Sequence, residues 1–134
     1  GLRVGYAAAL PKTLEKIQNI TRGGMGITIT SIEAAVASMK DKEFLTASKV
    51  KNKEARDFTY KKLVEMGYEP VPSQTSFMIF PQNELEGKDF LEKMSAQGVG
   101  VRSFEIYYKT WCRVSMGTLE EMQIFIDALD QVIG

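Results

Sequence analysis

The sequence predicts an α/β (α+β) fold, a small sheet covered by helices and preceded by long helices. Three observations lead there. From Val71 onward, apolar runs and turn residues read strand, helix, strand, strand, helix. Between Pro11 and Pro70 there is no proline, and apolar residues recur at helical spacing through most of that stretch. The 134 residues suit a single domain able to bury a real core.

Leu2 to Ala9 alternate weakly between Gly1 and Pro11, and read as a short buried strand. Pro11 then stands where the first helical turn tolerates it. Leu14, Ile17 and Ile20 give that helix an apolar side, ended by Gly23 and Gly24. Thr30 or Ser31 is expected to cap the next helix, with Ile32, Ala35, Val36 and Met39 along one side. The polar stretch "KDKEF" interrupts the pattern, so two helices, or one broken near Asp41, should run on to Gly67. "TSFMIF" reads as a strand ended by Pro81. Phe90, Leu91 and Met94 mark a helix closed by Gly98, and "VGVR" and "TWCRVSM" read as strands. Thr118 followed by Glu121 is the capping-box spacing, and Met122, Phe125, Ile126, Leu129, Val132 and Ile133 line the last helix.

Composition excludes several classes of function. Lys+Arg and Asp+Glu both number 17, so bulk charge gives no hold on a nucleic acid backbone or an anionic membrane. The single cysteine, Cys112, cannot form an internal disulfide, which favours the cytoplasm. No apolar run reaches the ~20 residues of a transmembrane helix. There is no histidine, which removes Ser-His-Asp and Cys-His catalysis and most zinc sites. No metal site is expected.

Two arginines sit inside apolar strands, Arg3 in "GLRVGY" and Arg113 in "WCRVSMG", and Arg102 in "GVGVRSF" ends one. A guanidinium is costly to bury unless paired. Each is therefore either a structural ion pair with one of the acids or a fork for an anionic small molecule, since it grips two oxygens at once. "RGGMG" lacks the Walker spacing and reads as a helix connection. Tyr107 and Tyr108 fit ligand contact or packing, the seven methionines fit core filling, and Cys112 should be inert.

Three segments together resemble the class I/II, fold-type I, pyridoxal-phosphate-dependent aminotransferases, and among them the histidinol-phosphate aminotransferase branch. "GLRVGYAAA" is similar to the stretch after the family's cofactor-binding lysine, S-K-A-F/Y-G-L-A-G-L-R-x-G-Y. "PSQTSFMIF" resembles the P-S-x-x-N-F strand, with Ser76 in place of the asparagine. "GVGVRSF" and "WCRVSMGTLEEMQIFIDAL" resemble the family's ending, in order and spacing.

The resemblance implies a small C-terminal domain of a fold-type I enzyme, with residues 1–29 a remnant of the large cofactor-binding domain and 30–134 the long helices plus the small domain. The lysine would lie just ahead of Gly1, so no catalytic residue is expected in this chain and the chain alone should be inactive. Arg3 then matches the arginine of the cofactor phosphate, Arg113 that of the substrate α-carboxylate, and Arg102 one near the substrate's distal end. The implied cofactor is pyridoxal 5′-phosphate. The substrates would be an amino acid, histidinol phosphate among the options, and a 2-oxo acid; the longer protein would be a cytoplasmic homodimer. A related decarboxylase acting on a phosphorylated amino acid and a non-catalytic α/β interaction module are the alternatives. Leu2 to Ala9, without its sheet neighbours, should be disordered or paired in a non-native way.

Overall fold

A computed structural model of the chain describes residues 2–21, 26–82 and 85–134. The expected ends of the first helix at Gly23 and Gly24 lie outside them. The chain divides into two compact units, Gly1–Ala47 and Ser48–Gly134.

In the first unit, Leu2 to Leu10 form no strand and are exposed, contrary to expectation. A strand is stabilised by its ladder partners, and the described residues supply none here. The Ser31 hydroxyl instead donates to the Leu2 carbonyl at 2.6 Å. Helix α1 spans Pro11–Thr21 with proline at its first position, and α2 spans Ile29–Lys40. The α2 cap is Thr28, not Thr30 or Ser31. Its extended backbone lets its hydroxyl accept from the Ser31 N–H at 3.2 Å. The break expected near Asp41 is there. The Asp41 N–H closes α2 on Ala37, and its carboxylate accepts from the Phe44 N–H at 2.9 Å, opening α3, Lys42–Glu65.

Most of α3 belongs to the second unit. It ends in a Schellman turn. Gly67, at φ 88°, donates to Val64, and Tyr68 donates to Leu63 at 2.9 Å, while both Leu63 and Tyr68 are buried. Strand β1 is Phe77–Pro81, α4 Gly87–Ala96, β2 Arg102–Ile106, β3 Lys109–Ser115 and α5 Leu119–Ile133. The three strands are antiparallel in the order β1-β3-β2.

One correction concerns β2. "VGVR" is not the strand, and Arg102 opens β2 rather than ending it. Gly98 (φ 77°) and Val99 close α4 on Ser95 and Met94, so that stretch is spent on the helix exit. A second concerns Tyr107 and Tyr108, which do not pack. They form the two-residue turn of the β2–β3 hairpin, both at positive φ (49° and 61°) and fully exposed.

Alternation builds the core. Met78 and Phe80 of β1 and Cys112 and Val114 of β3 point to one face. They join Ala55 and Leu63 of α3, Phe90 and Met94 of α4, and Met122, Phe125 and Leu129 of α5 in one cluster. Phe80 meets Tyr68 edge-on at 4.9 Å and Phe125 at 6.4 Å. In the amide orientation its neighbours require, the buried Gln82 side chain pairs with both backbone groups of Leu85, donating at 3.1 Å and accepting at 2.9 Å. Thr118 and Glu121 form the expected capping box of α5. Among the described residues no helix is long and apolar enough to cross a membrane.

Candidate anion-binding site

The helices cover one sheet face. The opposite face carries Phe77, Ile79 and Pro81 of β1, Trp111, Arg113 and Ser115 of β3, and Arg102, Phe104 and Ile106 of β2, half-buried or exposed. Across its centre runs the row Ile79, Arg113, Arg102, each directly opposite the next. Paired residues of an antiparallel ladder stand about 4.5–5.5 Å apart at Cα. Two guanidinium groups thus rise from adjacent points of one surface.

Like charges placed directly opposite destabilise a sheet unless something neutralises them. Among the described residues, neither Arg102 nor Arg113 is in an ion pair; the four that occur are helical lysine–acid pairs, such as Lys62–Glu65 at 2.9 Å. The Arg113 Nε and the Trp111 Nε1 are buried without hydrogen-bond partners. Arg113 lies instead over the Phe77 ring, with Cζ 4.1 Å from its centre. These side chains suit gripping and orienting an anion.

Arg3 belongs to the first unit and lies outside any strand, exposed, with a positive φ of 56°. The expected strand position is therefore wrong, because the segment has no ladder partner to extend it. Arg3 lines an open cavity of about 920 Å³ with Leu2, Val4, Tyr6, Ala35 and Met39, and has no ion-pair partner among the described residues. Its guanidinium is the one cationic group of that lining, whose walls are otherwise mostly apolar.

Cys112 is buried on the core face of β3, and burial pushes its thiol up to about 12. It is inert at neutral pH. No group of three or more potential metal ligands occurs among the described residues. Sequence reasoning singled out Arg102 and Arg113 but missed Phe77 and Trp111. The signal was available. Two-residue alternation from the apolar pair Met78 and Phe80 puts Phe77 on the arginine face, and Trp111 shares the parity of Arg113.

A helix-backed antiparallel sheet whose opposite face raises two adjacent arginines, neither in an ion pair among the described residues, is a small α/β domain with a candidate anion site. The chain belongs to the family of class I and II aminotransferases, whose model matches residues 1–129. It is 31% identical over 135 residues to the histidinol-phosphate aminotransferase of Moorella thermoacetica, an alignment covering all of this chain and 34% of that protein. The crystal structure of a candidate histidinol-phosphate aminotransferase from Erwinia carotovora atroseptica superposes with a TM-score of 0.82 at 32% identity, over 97% of this chain and 37% of that one. The Sinorhizobium meliloti histidinol-phosphate aminotransferase, solved with pyridoxal-5′-phosphate, shares the fold with a TM-score of 0.72 at 22% identity, over 88% of this chain and 33% of that one. The chain thus spans little more than a third of the length of the relatives it matches.

Proposed function

We propose that the chain is the C-terminal part of a pyridoxal-phosphate-dependent aminotransferase that exchanges an amino group between an amino acid and a 2-oxo acid. The observation that carries this reading is the unpaired Arg102–Arg113 row on the open sheet face, in a chain of the aminotransferase family. Residues 1–29 are then what this chain keeps of the large domain, and 30–134 the linking helices and the small domain. The exposed apolar side chains of the first unit, Tyr6, Leu10, Ile20 and Ile29 among them, would pack against the rest of the longer enzyme. That enzyme would be a cytoplasmic homodimer.

In this reading Arg113 binds the substrate α-carboxylate through two parallel N–H···O bonds. Arg102 holds the distal end, a phosphate if the substrate is histidinol phosphate. Clamping the carboxylate fixes the rotation of the substrate, so that the Cα–H bond is aimed at the base that removes its proton. Arg3 anchors the cofactor phosphate. When bound, the cofactor supplies an electron sink for the charge left at the α-carbon.

The cofactor-binding lysine, which is also the base that removes the Cα proton, would lie ahead of Gly1, so the 134-residue chain alone should not transaminate. Detection of keto-acid product from it in a single turnover would contradict that. The cofactor assignment is tested on the complete enzyme by reduction with borohydride in the presence of pyridoxal phosphate, followed by peptide mass mapping. A labelled lysine just upstream of Gly1 supports the reading. A label on a lysine inside these residues, or none, defeats it.

A further inference from the structure

The open face holds one contact that substrate binding leaves unused. The Arg113 guanidinium lies 4.1 Å from the centre of the Phe77 ring, within the range of a cation on an aromatic face. Phe77 pairs with Ser115 in the ladder, diagonal to Arg113, whose direct neighbours are Ile79 and Arg102. The Arg113 Nε is buried without a hydrogen-bond partner, and no carboxylate pairs with the side chain among the described residues. A half-buried cation beside a second cation ordinarily recruits an acid. An acid there would neutralise the fork and compete with an anionic substrate. An aromatic ring steadies the guanidinium from one side of its plane and leaves the N–H donors at its edge free.

We propose that Phe77 is the positioning residue of Arg113, holding the guanidinium in place but unneutralised, so that an incoming carboxylate or phosphate meets a preformed receptor. The inference rests on the anion-binding role proposed for Arg113. The loop before β1 fixes the backbone from which the ring projects. The Thr75 carbonyl accepts from Asn52 at 3.3 Å and from Arg56 at 3.2 Å, both on α3. The Ser73 hydroxyl donates to the Phe77 carbonyl at 2.6 Å, and the Phe77 N–H donates to the Thr75 hydroxyl at 3.3 Å. Both backbone groups of Phe77 are thereby engaged outside the ladder.

The test is nitrogen-15 NMR of the Arg113 Nε–Hε group in the full chain, with inorganic phosphate as the probe, in the wild type, Phe77→Met and Phe77→Tyr. Methionine keeps an apolar side chain of similar reach without a ring, whereas tyrosine keeps the ring. In Phe77→Met the Arg113 Hε resonance should leave its ring-shifted position and exchange with solvent about tenfold faster, with phosphate bound about tenfold more weakly. Phe77→Tyr should match the wild type in all three. An Arg113 Hε signal unchanged in position and exchange in Phe77→Met overturns the proposal, as does an equal loss in both variants. Should phosphate leave Arg113 unperturbed in the wild type, the anion-site reading fails. The resonance position and exchange in Phe77→Met still decide the role of Phe77.

Discussion

The two units spend their apolar residues differently. Every buried apolar side chain among the described residues lies in the second unit, whereas Ser31 is the one buried side chain of the first. Yet α1 and α5 carry similar apolar stripes in sequence. Ile20 of α1 is 82% exposed, whereas Leu129 of α5 is fully buried. An amphipathic pattern specifies a face, and only a partner surface turns that face into a core. The sheet repeats the lesson. Its Met78/Phe80 face met helices and became core, and its arginine face did not.

The largest expected contrast follows from that difference. Phe80→Ala should cost about 3–5 kcal/mol, because it opens a cavity between Tyr68 and Phe125. Ile20→Ala should change stability by less than about 0.5 kcal/mol. Urea unfolding followed by circular dichroism compares them, and equal losses would erase the distinction between the units.

Cys112 sharpens the same point through pH. Its thiol ionises near 9 when unfolded but near 12 in the fold, because burial disfavours the thiolate. Below 9 both states keep the proton. Between 9 and 12 the unfolded state alone releases it, so stability falls as pH rises, by up to about 1.4 kcal/mol per pH unit. Cys112→Ala should remove that part of the slope in urea titrations at stepped alkaline pH. A slope unchanged by the substitution would mean the thiol is not held from water.

Smaller effects belong to helix ends. Thr118→Ala breaks the α5 capping box and should cost about 1 kcal/mol of global stability. Thr28→Ala, at the α2 cap of the unit without a core, should leave the global unfolding midpoint in place and loosen only local amide exchange. The smallest is at acid pH. The Glu65 carboxyl is held below its ordinary value by its hydrogen bond to Lys62. The stability it lends is present above the ordinary carboxylate range and lost as pH falls through its lowered value. Glu65→Gln should slightly flatten the acid limb of a stability–pH curve.

Much of this was legible in the sequence because local rules and tertiary packing agreed. The order of elements after Val71, the Thr118–Glu121 box, the Gly67 stop and the break at Asp41 all rest on backbone chemistry within a few residues. The misreadings arose where a distant partner decides. Leu2 to Ala9 has strand composition but no ladder to join. "VGVR" has strand residues but is used to leave α4. Two tyrosines in a turn that favours Asn-Gly hid the hairpin. At the site, arginines inside apolar strands were visible as chemical anomalies. That Arg102 and Arg113 stand opposite each other, with Phe77 beneath one of them, depends on register, which no single segment encodes.

The central claim is that Arg113 receives the substrate carboxylate. The most direct measurement is the dissociation constant of the complete enzyme for an amino-acid substrate and for the matching amine without the α-carboxylate, in the wild type and in Arg113→Gln. Loss of a bidentate charged contact should weaken the amino acid about a hundredfold and leave the amine within about twofold. Equal weakening of both, or of neither, would contradict the account.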